Sequence, residues 1–305
     1  MHDKAPVSVI IPAFKARNFI DQALESVFAQ THLPAEIIIV DDDSPEPIAD
    51  LLSPFMANQH GVSVRLLQHE KNAGLGAARN TGITAATCQW VAFLDHDDLW
   101  APDHLSNIIN QLMADDGDLG FCSVIQFESD PRISLGLWGP LGDRIDSDLA
   151  FRLFERSFIT PSATVIRRSI LLDLGGFSTK AEVHMCEDLD LWLRLLQNGA
   201  VFSYSSKPTA FYRKHPMAAT SRPGYMAYQA AHVRQMHMGQ IKGYWLKKHV
   251  IVARAWWNAL IVLNRTERFR IDILIHALRA SLIVPWEIVR GLLHLAGGRL
   301  RRNTH

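Results

Sequence analysis

Cysteine is scarce in this chain. Cys88, Cys122 and Cys186 are spread over 305 residues, odd in number, with no CxxC pair and no zinc-ligand spacing. That excludes a disulfide framework and a structural zinc site, and it favours buried free thiols in a reducing compartment. Long apolar runs are missing too. The run at 7–12 is too short and too soon interrupted for a signal peptide or a membrane span, and the one at 246–263 is broken by Lys247, Lys248 and Arg254. A cytoplasmic chain is the expectation. Internal repeats and low-complexity tracts are absent. Acids and bases balance at 31 each, with 48% of residues hydrophobic, as in an ordinary globular protein.

Acidic residues are scarce in one region. After Ser205 there are 17 Lys and Arg but only three acids, Glu267, Asp272 and Glu287. The preceding part is correspondingly acidic. The first part suits a cation site, and the tail suits an anionic partner. The length allows one large domain with an extension, or two domains.

What is present begins with apolar runs that end in acids. Residues 7–12 read as a buried first strand that Pro12 forces to exit. A helix follows, with Asn18 as its cap, Asp21 in its first turn, and Ile20, Ala23, Leu24, Val27 and Phe28 on one face. Residues 36–40 form a second strand ending in Asp41, Asp42 and Asp43. Residues 62–67 form a third, and 74–86 read as loop then helix. The fourth strand, 90–94, runs into Asp95, His96, Asp97 and Asp98. Apolar strands alternating with helices predict a parallel sheet covered on both faces, with its ligand beyond the carboxyl ends of the strands. Two acidic clusters therefore meet at one crevice. Clustered carboxylates repel one another and suit a hard cation, Mg²⁺ or Mn²⁺, shared with substrate phosphates. The alternative is an acidic turn that caps the helix beginning near Pro102.

Further along, 102–113 reads as helix, 119–127 as strand, and 129–145 as a Gly- and Pro-rich loop of the length that binding loops have. A short strand at 162–166 leads to a helix at 168–174 closed by Gly175 and Gly176. Another helix spans 187–198, with Leu189, Trp192, Leu193 and Leu196 inward and Gly199 as its stop. Short strands are expected at 201–204 and 210–213, and helices from Pro216 on. Gly74, Gly76 and the residues after them imitate a dinucleotide fingerprint. Arg79 occupies the third glycine position, where a bulky side chain blocks close helix–strand contact.

The series VSVIIPAF at 7–14, ESVFAQT at 25–31, the acid-ended strand at 36–44, the stretch 72–83, FLDHDD at 93–98, GGF at 175–177 and EDLDLWLR at 187–194 resembles glycosyltransferase family two over roughly the first 215 residues. Each motif alone is weak, and their order is the specific signal. The resemblance implies a GT-A fold: a Rossmann-like, mostly parallel α/β sheet flanked by helices. It implies a nucleoside-diphosphate-sugar donor, UDP-linked before others, a divalent Mn²⁺ or Mg²⁺, and inversion at the anomeric carbon. By resemblance, Asp42 contacts the nucleotide base, with Pro12 and Phe14 nearby. Phe14 stands where the family usually has Tyr, Lys15 replaces a frequent Asn, and Asp43 a frequent Gly. Arg79 borders the phosphates and Asp95 the ribose. Asp97 or Asp98 holds the metal, Glu187 contacts the substrate, and Asp188 is the general base. Arg213, Lys214 and His215 match a late motif near the diphosphate and metal, with His215 as a metal ligand. The alternatives are helix-opening acids at 187, 188 and 190, and a surface basic triplet at 213–215. The chain lacks the Q-x-x-R-W motif and the spans of processive members, which implies one sugar per encounter.

The expected organisation is a catalytic domain at 1–215 and a basic helical region at 216–305. In 274–295, His276, Arg279, Glu287, Arg290 and His294 fall on one helical stripe amid Leu, Ile, Val and Trp286, and Pro285 is expected to divide two helices. Arg299, Arg301 and Arg302 close the chain. A basic, Trp-bearing amphipathic helix reads as peripheral to an anionic membrane at the inner face. Packing on the catalytic domain or on a second copy is the alternative. The expected partners are the nucleotide-sugar donor and a glycan or lipid-linked acceptor in cell-surface glycan synthesis, with no nucleic acid. Two competing functions are an inactive nucleotide-sugar-binding module and a sugar nucleotidyltransferase. The latter would want a Gly-rich phosphate loop after the first strand, where this chain has Pro12, Ala13, Phe14 and Lys15.

Overall fold

The first strand, β1 (Ala5–Ala13), is apolar almost throughout and buried over its last seven residues, because strands pair with it on both sides and helices cover both of its faces. A computed structural model describes residues 4–57, 61–140, 148–218, 222–266 and 270–300. Parts of three expected features, residues 141–147 of the long loop, Glu267, and the closing Arg301 and Arg302, lie outside the described residues.

The strands that follow are β2 (Pro34–Asp41), β3 (Ser63–Gln68), β4 (Trp90–Phe93), β5 (Leu99–Trp100), β6 (Leu119–Phe127), β7 (Gly136–Trp138), β8 (Thr164–Arg167) and β9 (Phe202–Arg213). They form one sheet in the order β3-β2-β1-β4-β8-β6-β9-β5, with β7 on β6. The half β3-β2-β1-β4 is parallel, as expected. The other half is mixed: β8 is antiparallel to β4 and β6, β5 to β9 and β7 to β6, while β6 and β9 are parallel. The helices are α1 (Ile20–Phe28), α2 (Ala49–Met56), α3 (Leu75–Ala85), α4 (His104–Asp115), α5 (Leu149–Glu155), α6 (Arg168–Asp173), α7 (Glu187–Gln197), α8 (Pro223–His237), α9 (Trp245–Thr266), α10 (Ile271–Ala280) and α11 (Trp286–Leu300).

Several local expectations change. Pro12 does not end β1. The β1–β4 register stops at Ile10 opposite Phe93, so proline's missing N–H falls where no strand asks for it. Asn18 does not cap α1: the cap position is Phe19, without a side-chain hydrogen bond. The two short strands after 201 are one, β9. The expected loop contains β7, and α2 is a helix that the sequence pattern does not mark.

The chain divides into two compact units. The first comprises Met1–Leu149, Phe158–Thr179 and Arg194–His215, and holds the whole sheet. Its core packs α1 and α4 residues such as Ile20, Leu24, Leu105 and Ile108 against Val9, Ile11, Ile37, Ile39 and Ala92. The second comprises Ala150–Ser157, Lys180–Leu193 and Pro216–His305. Residues 150–157 and 180–193, expected with the catalytic domain, thus belong with the helical tail. There α8, α10 and α11 pack on α9. The polar stripe expected along the tail is partly inverted. His276 stacks on Trp256 with ring centres 4.5 Å apart, and Glu287 is buried against Arg254. No helix among the described residues is long and apolar enough to cross a membrane.

Candidate active site

The carboxyl ends of the parallel strands gather the acids. β1 sits at the switch point of the sheet, with β2 on one side and β4 on the other, which is where such sheets leave a ligand crevice. Beyond β4 the Asp98 N–H donates to the Asp95 carbonyl at 3.0 Å, so the chain turns tightly and three carboxylates share one bend. Ser162, from the turn before β8, clasps that bend. Its hydroxyl accepts from the Asp95 N–H at 3.0 Å and donates to the Asp98 carboxylate at 2.6 Å.

The three acids have different surroundings. Asp98 is 1% exposed and also accepts the Arg213 N–H at 2.9 Å. Burial pushes its carboxyl well above the usual range, and the charges of Asp97 and Asp95 add to that. Asp95 is partly open and accepts from the Arg79 guanidinium at 2.6 Å. Arg79 is itself buried and lies 5.1 Å from the Phe177 ring. Asp97 is partly open and stands 2.8 Å from Nε2 of His215.

Arg213, at the end of β9, ties this cluster to the scaffold. Its guanidinium donates to the carbonyls of Asp97 and Glu128 and to Gln22, and lies between the rings of Phe19 and Phe127 at 4.7 and 4.5 Å. Desolvation lowers its pKa, although Asp97 and Asp98 work against that. Lys214 follows with its ammonium over Tyr212, its pKa also lowered by burial.

Asp42, at the end of β2, is buried and holds the neighbouring loop. Its carboxylate accepts the N–H groups of Ala73 and Gly74 at 2.8 Å each and faces Nδ1 of His69 at 2.7 Å. Asn72 returns a bond to the Asp42 carbonyl. Gly74, at φ +91°, then turns the chain into α3. The close helix–strand approach that Arg79 would obstruct is made by Gly82, where an added Cβ would come within 2.4 Å of Ile10. Pro12 is buried within β1, and Phe14 is exposed just beyond that strand's end.

The Gly175-Gly176-Phe177 motif has a physical role here. Asn80 on α3 donates to the Phe177 carbonyl and accepts the Phe177 N–H, both at 2.8 Å. A Cβ on Gly176 would strike the Asn80 amide oxygen at 2.3 Å, and φ is +69°. The motif thus fixes the ring on which Arg79 rests.

In the second unit, Glu187, Asp188 and Asp190 open α7. Asp190 is buried and faces Nε2 of His237 at 2.9 Å, and Nδ1 of that ring faces Gln240 at 3.1 Å. Glu187 is buried as well. Asp188 is half-buried and accepts the Leu189 N–H at 2.7 Å. Cys186, just before, has its thiol pushed up by burial and by the nearby acids Asp188 and Glu187.

The structure thus brings Arg79, Asp95, Asp97, Asp98, Arg213 and His215 together in the first unit, with Asp42 and Phe14 at the adjoining strand ends. Ser162, Asn80 and Gln22 were not legible as site residues, because each acts on a partner far away in sequence. His69 had a signal: it follows β3, at the same carboxyl edge as Asp42 and Asp95.

Two ligands at right angles about an octahedral Mg²⁺, each at about 2.1 Å, lie about 3 Å apart. The 2.8 Å between Asp97 and His215 is a hydrogen-bond contact as it stands, and it also matches the spacing of such a pair. Nδ1 of His215 is buried with no partner among the described residues, so a cation on Nε2 would leave the N–H on the ring's other nitrogen unpaired. No group of three or more His, Cys, Asp or Glu among the described residues is arranged to hold an ion alone. The pair fits an ion that takes its other ligands from phosphate and water, as Mg²⁺ commonly does.

The sequence profile of glycosyl transferase family 2 matches residues 8–175, more than half of the chain, and the chain belongs to that family. The putative glycosyltransferase EpsH of Bacillus subtilis (strain 168) is 32% identical over 231 residues, covering 71% of this chain and 63% of EpsH. The succinoglycan biosynthesis protein ExoW of Rhizobium meliloti (strain 1021) is 39% identical over 123 residues, 39% of this chain and 38% of ExoW. These alignments span less than two thirds of either relative. Among solved structures, S. aureus TarS 1-349 in complex with UDP-GlcNAc matches with a TM-score of 0.63 at 18% identity, covering 90% of this chain and 79% of that one. The mannosyltransferase PcManGT from Pyrobaculum calidifontis, in complex with GDP-Man and Mn²⁺, gives 0.62 at 17%, covering 98% and 89%. At these identities the likeness shows the fold, which is the GT-A arrangement that the motifs imply.

Proposed function

We propose that this protein transfers one sugar from a nucleoside-diphosphate sugar, UDP-linked before others, to an acceptor hydroxyl with inversion, in cell-surface glycan synthesis. The observation that carries this reading is the bend Asp95–Asp98 at the switch point of the sheet, buttressed by Arg79, Ser162 and Arg213 and open at Asp97 and His215. The naming of ExoW for succinoglycan biosynthesis and the nucleotide-sugar complexes of TarS and PcManGT support it.

In this reading Asp97 and His215 hold a divalent cation, Mn²⁺ or Mg²⁺, while Asp98, both of whose oxygens serve Ser162 and Arg213, keeps the bend in shape. The cation, when bound, supplies Lewis-acid charge against the leaving diphosphate. Asp95 takes the ribose and Arg79 orients Asp95 beside the phosphates. Asp42, together with Pro12 and Phe14, lines the base pocket. Glu187 supports the start of α7. Asp188 takes the proton of the acceptor hydroxyl, whose oxygen forms a bond to the anomeric carbon as the bond to the nucleoside diphosphate breaks. The electron pair of the broken bond leaves with the diphosphate. A glycan or lipid-linked glycan at the inner membrane face is the acceptor class.

The test is turnover by the full chain. UDP-sugars and GDP-sugars are supplied with Mn²⁺ and lipid-linked or soluble glycan acceptors, and released nucleoside diphosphate is measured. Binding is followed in parallel by thermal shift, since a ligand specific to the native state raises its melting temperature. Release of nucleoside diphosphate with acceptor dependence is expected. Pyrophosphate release would make the protein a nucleotidyltransferase instead. Donor binding without any turnover would leave an inactive binding module.

A further inference from the structure

The second unit leaves a run of large apolar side chains exposed. Among the described residues, nine of 22 exposed large hydrophobics fall between positions 271 and 293. Ile271, Ile275 and Leu278 are spaced four and three apart, so they form one stripe along α10. Trp286, Val289 and Leu293 repeat that spacing along α11. Leu282, 76% exposed, lies in the connection between the two helices.

These stripes are not unused core faces. The inner side of α10 is already buried through Ile273 and Ala277, and Ser281 receives the Trp257 indole N–H at 3.1 Å. The inner side of α11 buries Glu287, which accepts from Arg254 of α9 at 2.9 Å. The outward apolar faces are therefore left over after both helices have packed.

Charge selects the occupant. Residues 245–294 hold eight Lys and Arg against three acids, and of these bases Arg279 and Arg290 lie on α10 and α11 themselves. The two described acids, Asp272 and Glu287, are both engaged by arginines, Arg270 for the first and Arg254 and Arg290 for the second. Exposed Arg279 follows Leu278, and exposed Arg290 follows Val289, so cations border each stripe. An isologous contact between two copies would bring two faces of the same positive sign together. An anionic leaflet complements them and takes up the apolar stripe as well. Trp286 suits such a boundary, its ring apolar and its indole N–H polar.

We propose that the outer face of α10 and α11 docks in the plane of an anionic bilayer. This goes beyond the transfer reaction and needs neither donor nor acceptor to be tested. The full chain is sedimented with phosphatidylcholine vesicles, with and without phosphatidylglycerol, at low and high salt. Leu282→Glu and Trp286→Glu are run beside it, with melting temperature as the check on folding, since both side chains already face solvent. Expected are sedimentation only with phosphatidylglycerol, partial release by salt, and a loss of about tenfold or more in partitioning for each variant at an unchanged melting temperature. Wild-type chain that stays in the supernatant with both vesicle types overturns the proposal, as does sedimentation that neither variant reduces. A dimer seen by light scattering, and dispersed by Leu282→Glu, would assign the face to a second copy and overturn it too.

Discussion

Nε2 of His215 stands 2.8 Å from the carboxylate of Asp97, which joins the end of β9 to the bend after β4. The pair brings one hard oxygen and one imidazole nitrogen to the same point, and both side chains keep partial access to solvent. Asp97→Asn and His215→Ala are therefore expected to weaken nucleotide-sugar binding in Mn²⁺ by about tenfold or more, since each removes one ligand from an incomplete protein shell. EDTA should bring the wild type down to the same level. Calorimetric titration with and without chelator checks this, and wild-type affinity in both variants would refute the pair as ligands.

Asp98 predicts a different outcome from the same bend. Its two oxygens serve Ser162 and the Arg213 N–H, and it is closed to solvent. Ser162→Ala removes the hydroxyl that bonds both Asp98 and the Asp95 N–H, leaving buried groups unsatisfied. A loss of about 1–3 kcal/mol in unfolding free energy is expected. Urea titration measures it, and a change below about 0.5 kcal/mol would show that the clasp is dispensable.

Asp188→Asn is expected to cut turnover by about 10² to 10⁴ while donor affinity stays within about twofold. Asp190→Asn is the internal contrast. Asp190 is buried against His237, so its variant should lower the melting temperature more than Asp188→Asn does. If Asp188→Asn turns over at the wild-type rate, that acid only opens the helix. If donor binding collapses with it, Asp188 touches the donor or the fold.

What the sequence made legible has a common physical cause. β1, β2 and β4 are short apolar runs buried on both faces, so composition alone marks them, and the acids after them mark their carboxyl ends. β9 looked like two strands because its middle, Ser205, Ser206 and Lys207, is polar, and the β6 register shifts there. The α2 helix was hidden by Pro54 inside it. Ser162 and Asn80 gave no signal, since their partners are 64 and 97 residues away. The tail's polar stripe departs from the expectation for the same reason: Trp256 and Arg254 on α9 draw His276 and Glu287 inward.

The last prediction concerns acid stability. His104 on α4 is fully buried, its Nδ1 2.9 Å from the Thr209 hydroxyl and its ring stacked on Trp100 with centres 4.5 Å apart. Burial lowers its pKa to about 3, with Asp103 opposing weakly. In the unfolded chain a histidine titrates near 6.5. Between those values the unfolded state binds a proton that the native state refuses. The stabilisation is thus complete above about pH 6.5 and is lost as pH falls from there toward 3. At pH 5 this one residue accounts for a loss of about 2 kcal/mol relative to pH 7. His104→Gln cannot titrate. It is expected to be less stable than wild type at pH 7, because the ring's packing is lost, yet to lose about 2 kcal/mol less on going to pH 5. Urea unfolding at the two pH values, with equal slopes required, measures the difference. Parallel losses in the variant and the wild type would mean that His104 is protonated in the native state and that its burial does not set the acid limit.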